Sequence, residues 1–339
     1  MAESAKADAA SQATEDLGYI NRAGSASMKD GAHAASQVHD IFDTIDVQEE
    51  IKKLLVMLDR DNSLETRAAL QSEQAQQAKA FAGHWFQRID FPALAFSSTS
   101  DHATAFIDEG GLNTLGRRLS STQASILRPY PKWIYLKPRM PDVRGKSVLE
   151  VGSSNGFFAF RFAEMGASRV TGIEIVRQQH EAACWSRDVL GYTNVQLLHS
   201  DFLTDASIRK HDVVFCSEVV NHFLFPFYGI ARLIALANET FVFDTGAVDI
   251  PDQYLRLDTG WWVRTEALLY HSFLYSDGLL LDFFNIIGVG PHRVRRYKAP
   301  RDQHHILYVV DTSGLAEERT RRGAPPYLAA MLESLAPKS

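Results

Sequence analysis

One stretch constrains the fold of this chain more than any other: Lys146 to Ile175, KSVLEVGSSNGFFAFRFAEMGASRVTGIEI. An apolar run, Ser147–Val151, has the length of a buried strand and enters a turn bracketed by Gly152 and Gly156. A helical segment follows, and then a second apolar run that carries an acid, Glu174, near its end. Strand, glycine turn, helix and strand make one βαβ unit. A carboxylate about 20 residues after the glycines suits the ribose of an adenosine-type cofactor. The glycine spacing then separates cofactors. A pyrophosphate needs close backbone approach and the pattern G-x-G-x-x-G. Here the middle glycine is absent, and Glu150 stands just before the turn. A carboxylate there would repel a pyrophosphate but suit a cationic, amino-bearing cofactor, and S-adenosylmethionine meets that description.

Downstream, strands and helices alternate. Strands are expected at Ser147–Val151, Arg169–Ile175, Val195–His199, His211–Ser217, Thr240–Asp244, Gly290–Tyr297 and His305–Val310. This alternation implies an α/β, doubly wound, Rossmann-like sheet with its ligand at the carboxyl ends of the strands. Upstream, residues 1–36 have few large apolar side chains and read as a tail. Residues 37–82 carry apolar residues at helical spacing on either side of Asp61-Asn62-Ser63, which predicts an N-terminal helical hairpin serving as a cap or a homodimer contact. Residues 83–145 are aromatic and interrupted by prolines at 129, 131, 138 and 141, so a long helix is excluded and a lid or connector is expected. The catalytic domain is expected over 146–312, and a C-terminal helix, Pro326–Leu335, within 313–339.

Composition excludes less than the motif does. The chain has 339 residues and a net charge of −6. That balance counts against nucleic acid as a partner, since a nucleic-acid surface is usually strongly basic. Cys184 and Cys216 make no disulfide framework. No apolar run approaches a membrane span and no signal segment is evident, so a soluble cytoplasmic protein is expected.

The cofactor residues follow from the strand ends. Gly152, Ser153 and Gly156 form the turn that the methionine portion lies against. Glu150 would face the cofactor's ammonium and Glu174 the ribose hydroxyls. Asp201, at the end of the third strand, would accept from the adenine amino group, with Phe202 packing near the ring. Asp201 as an ordinary helix or turn cap is the competing reading. Ser217 and Glu218 end the fourth strand and should face the cofactor, Ser217 as a binding residue, or the transferred methyl.

These motifs carry a resemblance. The run from Lys146 to Ile250 is similar to the class I S-adenosylmethionine-dependent methyltransferases, whose sheet has seven strands. More narrowly, HWFQRIDF (84–91), the glycine run, HDVVFCSEVVNHFLFPFYGIARL, FVFDTG and GWWVRTEALLYHSFLYSDG resemble the tRNA wobble-uridine methyl/carboxymethyl transferases and their small-molecule relatives. Asn221-His222 stands where that family has Tyr-His. The N-terminal helical segment has no counterpart there, and the sequence shows no basic surface suited to tRNA.

For the acceptor side, His222, His271 and Glu218 are the candidates for proton chemistry. For both histidines the alternative is a structural role. His271 follows an apolar stretch read as the start of a helix. Trp85, Tyr254, Arg256, Trp261, Trp262 and Arg264 are candidates for an aromatic pocket with carboxylate-binding arginines; core packing and surface ion pairs are the alternatives. His222, His271 and His305 lie on separate segments and could together hold a divalent metal. The expected function is methyl transfer to a small-molecule acceptor. The alternatives are metal-assisted C-methylation of an α-keto acid, tRNA modification, and a non-catalytic cofactor-binding module.

Overall fold

The computed structural model describes residues 39–40, 49, 52–53, 56, 73–81, 85–94, 96–98, 129–258, 272–298, 305–321 and 326–335. The expected tail lies outside the described residues, and so does most of the helical hairpin. From that region a helix at Glu73–Lys79 is described. His39–Asp40, expected near the start of the hairpin, is instead a short strand.

The chain from 129 onward forms the layered α/β body. Its elements are α1 (Tyr130–Leu136), β1 (Ser147–Val151), α2 (Phe157–Glu164), β2 (Arg169–Glu174), α3 (Arg177–Leu190), β3 (Val195–His199) and β4 (His211–Ser217). They continue as α4 (Pro226–Leu236), β5 (Ala237–Val248), β6 (Leu255–Asp258), β7 (Ser272–Ser276) and α5 (Asp277–Ile286). The chain closes with β8 (Val294–Lys298), β9 (His305–Asp311), α6 (Leu315–Arg321) and α7 (Pro326–Ser334).

Seven strands make the central sheet, in the order β8-β9-β5-β4-β1-β2-β3. Strands β3, β2, β1, β4 and β5 run parallel. The last strand, β9, inserts antiparallel between β5 and β8. Strand order therefore reverses between β1 and β4, the position at which doubly wound sheets open a crevice for ligands. His39–Asp40 extends the β8 edge, while β7 continues beside the end of β5 and pairs with β6.

Alternation along the strands explains the layers. Leu149, Val151, Ile173, Val214, Cys216, Phe241, Phe243 and Tyr308 face one side, under α4, α5 and α7. Val148, Val170, Val213, Phe215, Val242, Leu307 and Val309 face the other, under α1, α2 and α3. Both faces are covered, so the strands read as nearly continuous apolar runs rather than as polar–apolar alternation.

Several expected boundaries move. β5 runs four residues past Asp244, to Val248. The stretch at 291–293 is a 3-10 turn opening with Pro291, so β8 begins only at Val294. The apolar segment after His271 is strand β7, not a helix, because pairing with both β5 and β6 outweighs its local periodicity. Within the proline-rich connector, α1 forms as a short helix with proline in its first turn, where a missing amide costs nothing. No helix among the described residues is long and apolar enough to cross a membrane.

Candidate active site

The glycine turn is held open by two constraints. Gly152 has φ +77°, and a Cβ on it would come 2.2 Å from Val219 Cγ2. Gly156, at the N-terminus of α2, has φ +91°, and a Cβ there would come 2.7 Å from the Phe160 ring. The Gly152 and Ser153 amides both donate to the Ile173 carbonyl at 2.9 Å, which ties the turn to the end of β2.

Around this turn the polar groups are arranged unevenly. Glu174 is buried. Its Oε2 accepts from the Ser154 amide at 2.7 Å and its Oε1 from the Val176 amide at 2.8 Å. Burial still raises its pKa despite those bonds. Glu150 is 1% exposed, and among the described residues no donor meets either carboxylate oxygen in hydrogen-bonding geometry. Its pKa is held well above the carboxylate range, first by burial, with the charge of Glu174 adding to it; the nearby Ala159 amide offsets only part. The Ser153 hydroxyl is likewise buried and unpartnered. Buried polar atoms are rarely left unsatisfied. An orphaned carboxylate beneath a glycine turn is what an ammonium-bearing ligand would complete, so the residues fit S-adenosylmethionine. Ile175, 63% exposed, adds an apolar side chain beside Glu174.

The aromatic connector is tied to the same turn. Asn155 Oδ1 accepts from the amides of Phe86 and Gln87, at 2.7 and 3.0 Å. Gln87 Oε1 in return accepts from the Phe157 amide at 3.0 Å. Helix α2 begins on a left-handed glycine that offers no cap of its own, and Gln87 supplies one from 70 residues away.

A second group of charges lies at the carboxyl ends of β4 and β5. Lys132 Nζ, from α1, lies 2.7 Å from Glu218 Oε1 and 2.8 Å from Asp244 Oδ2. Asp244 is fully buried and also accepts from the hydroxyls of Tyr135 and Ser217. His305, on β9, brings Nε2 to 3.3 Å from Glu218 Oε1 and Nδ1 to 3.9 Å from Asp244 Oδ1. Burial alone would lower the Lys132 pKa, but the charges of Asp244 and then Glu218 outweigh it and keep the ammonium protonated. Glu218 has φ +54° and Ser154 has φ +49°. These are the two non-glycine residues in the left-handed region among those described, and they stand at the two halves of this site. Such strain persists only where surrounding structure enforces it.

Comparison with known proteins gives this arrangement its family. A family model described as "Methyltransferase domain" matches residues 142–239. A ubiquinone biosynthesis O-methyltransferase of Neisseria meningitidis serogroup C (strain 053442) is 31% identical over 185 residues, covering 51% of this chain and 68% of that one. The chain belongs to the class I S-adenosylmethionine-dependent methyltransferases. A tRNA U34 carboxymethyltransferase of Desulfotalea psychrophila (strain LSv54 / DSM 12343) is 29% identical over 96 residues, covering 27% of this chain and 29% of that one. Further relatives of that name are matched over about half their length. The N-terminal domain of EvdMO1, solved with SAH bound, shares the fold: TM-score 0.51, 16% identity, and coverage of 70% of this chain and 94% of that one. As in the rest of the family, S-adenosylmethionine is the cofactor.

Within this methyltransferase frame, the predicted residues divide. Glu150, Gly152, Ser153, Gly156 and Glu174 converge on the turn. Asp201 instead closes its own loop: Oδ1 accepts from the Leu203 amide at 2.9 Å and Oδ2 from the Thr204 hydroxyl at 3.1 Å. Phe202 is buried, stacked on Phe223 with Arg232 over its ring. Ser217 and Glu218 join the charged group. His222 ends a 3-10 turn, Val220–His222, with its Nε2 3.4 Å from Asn221 Nδ2. Trp85 is buried in an aromatic cluster with Phe81, Phe91 and Trp185, and its indole donates to the Ala78 carbonyl. Tyr254 is half-buried and Arg256 exposed on β6. Trp261, Trp262, Arg264 and His271 lie outside the described residues.

Among the described residues the donors that approach one another are Glu218, Asp244 and His305; the expected set of His222, His271 and His305 includes His271, which lies outside the described residues. Lys132 already supplies a cation to both of these carboxylates. Sequence reasoning passed over Lys132, Gln87 and Asn155. Asn155 sits inside the glycine turn and Gln87 inside the HWFQRIDF run, so position could have flagged both. Nothing local marks Lys132.

Proposed function

We propose that this chain transfers a methyl group from S-adenosylmethionine to a heteroatom of a small-molecule acceptor. The observation that carries this reading is the charged group at the carboxyl ends of β4 and β5. Val219 bounds the cofactor turn and its neighbour Glu218 belongs to that group, so the two halves of the site are one residue apart in sequence. Among the described residues two carboxylates, Glu218 and Asp244, meet one lysine and one histidine there, so carboxylates outnumber lysines where we place the emerging methyl. An acidic face disfavours a phosphate-rich RNA. It also disfavours a carboxymethyl donor, which would set a third carboxylate against Glu218 and Asp244. The relative most fully covered is named for O-methylation, in agreement with a hydroxyl acceptor.

Methyl displacement from a sulfonium is an in-line reaction in which the protein mainly positions the acceptor and excludes water. In this reading Glu150 and Glu174 hold the donor, the Asn155–Gln87 bonds keep the connector closed against the turn, and residues 146–312 carry the chemistry. The test uses S-adenosylmethionine labelled in its methyl group, supplied with a small-metabolite extract and, separately, with bulk tRNA. Label is expected in the small-molecule fraction. Label confined to tRNA would overturn the assignment.

A further inference from the structure

The turn after β4 holds a polar atom that the fold leaves unused. Asn221 lies in the 3-10 turn Val220–His222 and is 9% exposed. Its Nδ2 donates to the Ser272 hydroxyl on β7 at 3.0 Å, while its Oδ1 meets no donor among the described residues. The turn itself is fixed in place. The Tyr275 hydroxyl donates to the Val220 carbonyl at 3.1 Å, and the His222 amide to the Val219 carbonyl at 2.9 Å. A second orphan stands on the neighbouring strand. Thr245, toward the carboxyl end of β5, is fully buried, and its hydroxyl has no partner among the described residues. It follows Phe241 and Phe243 on the face that also carries Val220 and Tyr275. Its neighbour Asp244 bonds Lys132 on the other side of the sheet. The two orphans are thus separate from the charged group. Buried polar atoms are seldom left without a partner, and each one that is costs stability.

We propose that Asn221 Oδ1 accepts a hydrogen bond from the methyl acceptor and, together with the Thr245 hydroxyl, selects acceptors that present a hydroxyl or amino donor there. This rests on the small-molecule methyltransferase reading above and narrows its substrate class. Three observations support it. Both residues lie at or just beyond the carboxyl ends of adjacent strands, beside the β1–β4 reversal where a ligand belongs. Val219, which closes on Gly152 in the cofactor turn, is two residues before Asn221. Position 221 is also where the chain departs from the tRNA-modifying family it resembles, a short amide standing in place of a longer phenol. An amide oxygen only accepts. An acceptor with no donor at that point would leave the oxygen buried and unpaired, and would be disfavoured.

The test uses the full chain and methyl-labelled S-adenosylmethionine. Its probe is the component of a small-metabolite extract that the wild type methylates, purified. Asn221→Ala is expected to lower kcat/KM for this probe about tenfold, chiefly through KM. Asn221→Asp keeps an oxygen in place and should recover most of the loss. Thr245→Val removes the hydroxyl and little of the shape. It should raise KM, yet leave the unliganded protein at least as stable, because nothing described in the fold uses that hydroxyl. Since Thr245→Val breaks no described bond, it keeps the test open should Asn221→Ala prove unstable. Calorimetric affinity for S-adenosylhomocysteine should stay unchanged in all three. An unchanged KM in Asn221→Ala or in Thr245→Val would overturn the proposal for that residue. A fall in S-adenosylhomocysteine affinity would make them cofactor ligands and overturn it. A melting-temperature loss in Thr245→Val, or no recovery in Asn221→Asp, would assign a structural role instead. A wild type that binds S-adenosylhomocysteine but methylates no small molecule would strike the functional reading beneath the proposal, a result distinct from all of these.

Discussion

At the scale of single residues, two positions in and before the glycine turn have opposite physics. Gly152 is defined by what cannot be there. An alanine would sit at a φ that costs an L-residue about 1–2 kcal/mol, and its methyl would meet Val219 at 2.2 Å. Gly152→Ala is expected to weaken S-adenosylhomocysteine binding at least tenfold, read by calorimetry; unchanged affinity would mean the turn does not carry the cofactor. Glu150 is defined by what is missing around it. Its folded-state pKa is raised, so the unliganded native state keeps its proton to higher pH than the unfolded chain does. The contribution of this group to stability is therefore fully present below the ordinary glutamate range and is lost as pH rises toward the raised value. Glu150→Gln should remove that loss, stabilising the unliganded protein at neutral pH by about 1–3 kcal/mol, read as a higher melting temperature, while weakening ligand binding. A lower melting temperature across the whole pH range would contradict this account.

At the scale of elements, α1 behaves as a strut whose end carries charge. It packs Trp133, Tyr135 and Leu136 into the core and delivers Lys132 to two carboxylates on β4 and β5. Lys132→Met keeps most of the apolar stem but leaves Asp244, fully buried, without its cation. Breaking a buried pair by removing one partner costs about 3–5 kcal/mol. A loss of stability of that size is expected, read by denaturant unfolding, and adding Asp244→Asn should recover part of it. A drop below about 1 kcal/mol would mean the pair is effectively solvated. Secondary structure in this region was only partly legible in the sequence. The prolines at 129 and 131 announce an interruption, yet they sit at the start of α1, where proline is tolerated. Apolar spacing on either side of His271 is ambiguous between helix and strand, and for Ser272–Ser276 pairing with β5 and β6 decides it.

At the scale of the whole molecule, net charge and placement of charge bear on the partner. The chain carries −6 overall, and two of its carboxylates, Glu218 and Asp244, stand where we place the methyl exit. Titration of bulk tRNA into the protein at low salt is expected to show no binding that weakens steeply as salt rises. A salt slope worth several phosphate contacts would favour the RNA-modifying relatives over the small-molecule ones.

What the sequence by itself determined is where the early strands lie along the chain and the glycine turn between the first two. Both are local: apolar runs bounded by turns, two glycines at a fixed spacing, and acids at Glu150 and Glu174. What only the tertiary structure decided is the charged group. Lys132, Glu218, Asp244 and His305 are spread over more than 170 residues, and their meeting depends on β9 inserting antiparallel beside β5 and on α1 folding over the β4 end. Only the structure shows Asp201 accepting from the Leu203 amide and Phe202 stacked on Phe223, beside the adenine contacts that their places after β3 suggest. Periodicity and spacing report which face a residue occupies. They carry no information on which distant charge will share that face.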